Sequence, residues 1–233
     1  MKDFWYPLLL LFLCSTSCLG QLQPGSLFLS GSLSIQAINQ NSGEVFTSMP
    51  LSISGADVSS TSVEIAPSLG YLFSGNLAAG LELSYTNSST TVEQAPSFTF
   101  FLPGQEIRLH LFTIRPFVRY YKPFNEKLGF QLDIFGGLGF GESKSNRLTN
   151  NNIVEITEDL SSFELGLAPG LYYFISPRFM IDASIGGIGY ESEKSTVKEP
   201  GAGSRQDNRF YTFLSSGIGL RLGVNLFFHP AGD

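Results

Sequence analysis

Two histidines, His110 and His229, are the only imidazoles in the 233 residues, and a membrane hydrolase or protease needs one paired with a carboxylate or a serine. His110 stands between Leu109 and Leu111 with no serine two residues on, and His229 falls in a short tail, so neither spacing suggests a nucleophile and its base. The two thiols, Cys14 and Cys18, lie in the first twenty residues. Gly136-Gly137-Leu138-Gly139-Phe140-Gly141 and Gly186-Gly187-Ile188-Gly189 have the glycine density of a phosphate loop. Such a loop must leave a strand and open a helix, whereas these glycines continue an alternation of period two and are expected within strands. Glu155, Glu158 and Asp159 lack the spacing of a calcium loop. No catalytic residue, cofactor or metal site is therefore expected. With 14 Lys+Arg against 20 Asp+Glu, net −6, nucleic acid is not an expected partner either.

The remaining charges stand at regular places. Glu64, Glu82, Arg115, Arg119, Asp133, Glu164, Asp182 and Arg221 each occupy the polar parity of a segment that alternates polar and apolar residues. The other parity makes eight rows: Leu27 to Ala37, Val63 to Phe73, Leu77 to Tyr85, Phe112 to Tyr120, Leu128 to Phe140, Phe163 to Tyr173, Phe179 to Gly189, and the even positions from Phe210 to Phe228. These rows hold 51 positions and no charge, where a chain that is 15% charged would place about eight. Period two marks strands with two unlike faces. After the leader no stretch reaches the roughly 18 uncharged apolar residues of a membrane helix, so a membrane would be crossed by strands.

Connections alternate between short (74 to 76, 122 to 127, 175 to 178) and long and polar (38 to 60, 86 to 105, 143 to 158, 191 to 208). That asymmetry predicts an all-β, eight-stranded antiparallel up-and-down transmembrane barrel, a meander with short periplasmic turns and long extracellular loops. The segment 44 to 54 could add a strand pair. Lys2, an apolar run from Phe4 to Cys14 and small residues to Gly20 have the layout of a secretory leader. The expected division is a leader at 1–20, a barrel at 21–228 and a periplasmic tail at 229–233, too short for a peptidoglycan-binding domain. Pro67, Pro116 and Pro169 each precede a tyrosine by four residues, just before a short turn. Proline cannot donate to a ladder, so each is expected at a bulge or where pairing lapses.

Counted from the nearest short turn or barrel end, Glu82, Arg115, Asp133, Asp182 and Arg221 lie five to seven residues up. They are expected to share one structural layer across the bore, Arg115 bridging Glu82 and Asp133, and Asp182 beside Arg221. Glu64, Arg119 and Glu164 are further lumen charges. Tyr121, Tyr172, Tyr211, Phe117, Phe135 and Phe213 share that inner parity, enough bulk to fill an eight-stranded bore.

On these segments the chain resembles the small outer-membrane β-barrels of PorT-like and OmpA/OmpX type common in Bacteroidetes. The likeness is carried by Leu27 to Ala37, Ala66-Pro67-Ser68-Leu69-Gly70-Tyr71, Asn76 to Leu81, Arg119-Tyr120-Tyr121 and Pro169 to Pro177. The last strand, with Arg221, Gly223, Leu226 and Phe228, resembles the terminal signal read by the barrel-insertion machinery, although five residues follow the aromatic. The resemblance implies a monomeric, multi-pass protein of the bacterial outer membrane, in contact with membrane lipid and the insertion machinery.

The leading function expected is non-enzymatic: a filled barrel that anchors extracellular loops for binding an external or envelope protein. A component of a secretion machine, a lipid-modifying barrel enzyme and a soluble lipocalin-like carrier are the alternatives. A lipocalin would carry its charges on the outer parity, the reverse of the distribution here.

Overall fold

The computed structural model describes residues 22–40, 56–94, 105–149, 152–198, 204–211 and 220–230. They form β1 (Leu27–Gln40), β2 (Ala56–Ser74), β3 (Leu77–Gln94), β4 (Gln105–Pro123), β5 (Leu128–Thr149), β6 (Asn152–Ser176), β7 (Phe179–Ile185), β8 (Ile188–Val197), β9 (Ser204–Tyr211) and β10 (Leu220–Phe228). β7 and β8 run end to end along β6; β10 pairs with β7 and β9 with β8. Ten segments therefore make eight wall positions. β10 then pairs with β1, from Leu27 opposite Phe228 to Ile35 opposite Leu220, and closes the ring. Through the apolar band this closure pairs both edges of the sheet, the condition for a sheet to stand in lipid. The expected leader with its two cysteines, the segment 44 to 54 and positions 212 to 219 of the last row lie outside the described residues.

The rows face as their composition requires. Leu29, Ile65, Leu81, Ile114, Ile134, Leu165, Ile181 and Leu222 are exposed on the outside of the ring. Tyr71, Phe73, Tyr173, Phe179 and Phe228 bound this apolar band near the short turns, and Tyr85, Phe112, Phe140 and Phe163 bound it at the other end. Aromatic rings settle at the two interfaces of a bilayer, and the roughly 9 to 11 residues between them match the length of a tilted spanning strand. One row departs from expectation. Between the pairs Gly170–Ser184 and Leu167–Ile188 the β7–β8 side carries one extra residue, at Gly186 with φ 57°. This bulge reverses the parity, so Gly187 is buried and Ile188, not Gly187 or Gly189, takes the outward place.

The long polar connections are a second departure. β5 and β6 stay paired up to Thr149 opposite Asn152, through nearly all of the expected loop 143 to 158. β2 and β3 stay paired to Ala56 opposite Gln94, and β8 with β9 to Thr196 opposite Ser204. Past the apolar band the outer face meets water, so the apolar row ends while the hydrogen-bonded ladder does not, and the inner face still buries Ile107, Ser143 and Leu160. β-Branched residues such as Thr61, Val63, Thr90 and Thr91 sustain the ladder.

At the opposite end the turns are fixed locally. The Asn125 carboxamide oxygen accepts from the Lys127 and Leu128 amides (2.9 and 2.8 Å), and Ser74 Oγ accepts from Leu77 N (3.1 Å). Pairing lapses on one side of each of Pro67, Pro116 and Pro169, as a missing N–H requires, but the register shifts only beside Pro169. If the band is the membrane span, Ile134→Arg should lower unfolding stability by about 2–4 kcal/mol. Asn146→Arg, on the same outer face past the band, should change it by less than about 0.5 kcal/mol. Urea titration in lipid vesicles measures both, and equal effects would place the bilayer elsewhere.

Candidate functional site

The bore is built in tiers from the short-turn end. Its floor is apolar: Leu22, Phe28, Leu72, Tyr121, Tyr172, Phe174, Met180 and Phe227 are buried in one cluster. Tyr172 meets Tyr121 and Phe174 edge-on at 5.4 and 5.7 Å between centroids, a favoured aromatic geometry. Rings this large fit because glycines stand beside them. A Cβ on Gly70 would fall 2.1 Å from the Phe28 ring, and one on Gly129 would fall 2.3 Å from the Tyr172 ring.

Arg119 lies above the floor. Its Nε and Nη2 donate to the two oxygens of Asp133 (2.6 and 2.8 Å), and Nη1 reaches Asn225 Oδ1 (3.3 Å). The guanidinium also sits 5.3 Å from the Phe117 ring centroid. Asn225 passes the chain on, donating through Nδ2 to Asp182 (2.5 Å), which also receives Gln131 Nε2 (3.3 Å). Towards the outer end, Arg115 donates to Glu82 (2.6 Å) through Nη1 and to Glu164 (2.7 Å) through Nε, with Glu64 at 3.6 Å. Arg221 donates to the second oxygen of Glu82 and to Ser32 Oγ (2.8 Å).

The five residues expected in one layer thus fall into two clusters. Arg115 does not bridge Glu82 and Asp133; it joins Glu82 to Glu164, while Asp133 belongs to Arg119. Asp182 is bound by amides rather than by Arg221. Residue count from a turn misjudges height because strands in a closed barrel are tilted and staggered. The register sets Arg119 opposite Asp133 and Glu82 opposite Arg115. It also sets Gly137 opposite Glu164. Glu164 reaches Arg115 across that glycine, where a Cβ would lie 2.4 Å from its Oε1. Gly223 does the same for Asp182, at 2.5 Å from Oδ2. These glycines stand within strands, at places where a neighbour's side chain lies down. Of the four residues that resemble an insertion signal, Arg221 and Gly223 serve the interior, and Leu226 and Phe228 face outward.

The histidines do other work. His110 is on the outer face, its Nδ1 2.9 Å from the Tyr85 hydroxyl. His229 Nδ1 lies 2.8 Å from Ser26 Oγ, a pairing the sequence did not suggest across 203 residues. Ser26 is fully buried, and its hydroxyl also lies 2.7 Å from Gln23 O. Past the apolar band, Lys198 Nζ ties Glu142 (2.5 Å) to Asp159 (3.0 Å), and its hydrogen bond holds the Glu142 carboxyl below the usual range. Among the described residues no cluster of three His, Cys, Asp or Glu has metal-site geometry.

The family model for the outer membrane protein beta-barrel domain matches residues 7–225. The chain belongs to this family. As a member it is a protein of the Gram-negative outer membrane, crossing it with strands. Among solved structures it is similar to OprG from Pseudomonas aeruginosa, at 10% identity over 91% of this chain and 99% of that one, with a TM-score of 0.50. It is also similar to neisserial surface protein A, at 16% identity over 88% of this chain and 97% of that one, TM-score 0.41. The attachment invasion locus protein Ail of Yersinia pestis, solved with the heparin analogue sucrose octasulfate, matches at 13% over 88% and 100%, TM-score 0.42. No curated protein matches the sequence.

The outer-membrane barrel's interior makes a paired prediction. Gly137→Val should push Glu164 off Arg115 and strand buried charge, a loss of about 3–5 kcal/mol. Gly136→Val points outward, where a Cβ has no neighbour nearer than 3.7 Å, and should leave stability unchanged. The temperature at which each variant loses compact migration in detergent gels separates them; equal midpoints would mean that the bridge is hydrated.

Proposed function

We propose that this outer-membrane barrel is a closed, non-catalytic anchor whose wall, prolonged beyond the bilayer as paired strands, presents a binding surface outside the cell. The observation that carries this reading is the β5–β6 hairpin, which remains in register from the apolar band at Phe140 opposite Ser161 out to Thr149 opposite Asn152. Nothing in the closure of the barrel requires that length, whereas a surface held clear of the membrane does. The interior supports the other half. An aromatic floor and two arginine clusters occupy a bore that eight strands already make narrow. In this reading the short turns face the periplasm, residues 1–20 are a leader removed on export, and the barrel is a monomer inserted by the barrel-insertion machinery. The partner is an extracellular or envelope protein.

Two measurements test the halves separately. In planar bilayers the intact barrel should show no steady large conductance at neutral pH; a stable open channel would refute the filled lumen. Replacing residues 145–156 by a tight turn should leave insertion and heat-resistant migration intact while abolishing a partner captured from detergent-solubilised envelopes. Failure of the shortened barrel to insert would assign the hairpin to folding instead.

A further inference from the structure

Five residues follow Phe228, where the terminal signal that β10 resembles would end, and the barrel wall is complete without them. His229 and Pro230 instead meet the opposite end of the chain. Residues 22–26 cross beneath the short-turn mouth before β1 begins, with Leu22 in the apolar floor among Phe28, Leu72 and Phe227. Gly25, at φ 87°, turns the chain; its N–H donates to Leu72 O (2.7 Å) and Leu72 N–H donates to Ser26 O (2.8 Å). This strap is held to β2 on one side and to the tail on the other.

His229 makes the tail's polar contacts. With hydrogen on Nε2, its ring donates to Pro177 O in the β6–β7 turn (3.0 Å) and accepts at Nδ1 from the Ser26 hydroxyl (2.8 Å), while Gln23 O keeps the Ser26 N–H (3.2 Å). The ring lies on buried Phe227, centroids 6.3 Å apart and planes 16° apart. Pro230 adds an apolar contact, its Cγ 3.6 Å from where a Cβ on Gly25 would stand. The tail thus joins the strap, the β6–β7 turn and the end of β10, three places far apart in sequence.

Those places flank the seam between β1 and β10. It is the one junction in the wall without a connecting turn, and it is short, from Leu27 opposite Phe228 to Ile35 opposite Leu220. β5 and β6, joined by their own connection, pair from Leu128 opposite Tyr173 out to Thr149 opposite Asn152. A frayed hairpin stays tethered and closes again at little entropic cost, whereas the two strands of a frayed seam have no short loop to return them. Ser26 and His229 occupy the next position of the seam's register, just outside the pair Leu27–Phe228.

We infer that His229 is a lock on the closed ring: it fastens the strap and the β6–β7 turn across the seam, and it slows reopening of the barrel without helping it to form. Ser26 and His229 are 203 residues apart, and only the paired seam brings them to 2.8 Å. The contact therefore follows closure. An interaction that is absent from the transition state and present in the native state changes the opening rate alone. A chain that stopped at Phe228 would have no side chain to reach Ser26, which gives the extra length of the tail its use. The lock works whichever side of the membrane the short turns face.

The full chain, refolded from urea into phosphatidylcholine vesicles, tests this. Formation is the appearance of the compact band in unheated detergent gels, and opening is its loss after transfer back into strong urea. His229→Ala should open about 2- to 10-fold faster than the parent, the equivalent of one net hydrogen bond, and should form at the parent's rate. Ser26→Ala should behave alike. The double variant should open no faster than His229→Ala, because either change breaks the same contact. Slower formation of His229→Ala, failure to insert included, would assign the tail to folding and overturn the lock. Opening at the parent's rate in both single variants, or single effects that multiply in the double variant, would overturn it as well.

Discussion

The bore of an eight-stranded barrel is too narrow for inner side chains to stand upright towards its axis. They lie along the wall instead, across the adjoining strand, and whatever occupies that strand must give way. Phe28 lies over Gly70, Tyr172 over Gly129, Glu164 over Gly137 and Asp182 over Gly223, each where a Cβ would be well inside contact distance. Large and absent side chains are therefore matched across strands, and the match determines which charge reaches which partner. Arg115 and Glu164 meet across an intervening strand because Gly137 leaves the gap.

That geometry also explains why the interior tolerates charge. Burial of an ion is repaid only by good geometry and further hydrogen bonds. Arg119 has both, with two bonds to Asp133, a third to Asn225 and an aromatic face at Phe117. Asp182 is spared a direct cation by two amide donors. The Arg119 cluster is joined to the floor beneath it through Tyr121 and to Asp182 through Asn225 rather than left as an isolated pair.

Outside the bilayer the constraint relaxes. The outer faces of β5 and β6 meet water there, and ion pairs such as Glu142–Lys198–Asp159 span the strands on them. Such exposed pairs add little stability. The ladder itself carries the hairpin outward.

The sequence by itself determined the outside of the barrel. Lipid is a uniform solvent, so each outward residue answers to it independently, and a charge-free row of period two is a sufficient signature for Leu27 to Ala37 or Phe163 to Tyr173. Ring closure and strand number followed, since short and long connections alternate. The same signature failed at Ile188, where one inserted residue reversed the faces, and beyond Phe140, where strands without an apolar side resembled loops. The interior was legible as a set of residues but not as pairs. Glu82, Arg115, Asp133, Asp182 and Arg221 all stood out as inner charges, yet their partners depended on stagger, tilt and the glycine opposite. The contact of Ser26 with His229 depended on ring closure, which alone brings the two ends of the chain together. Solvent acts on residues one at a time, whereas a buried charge or hydrogen bond needs a particular neighbour, and only the closed tertiary structure supplies it.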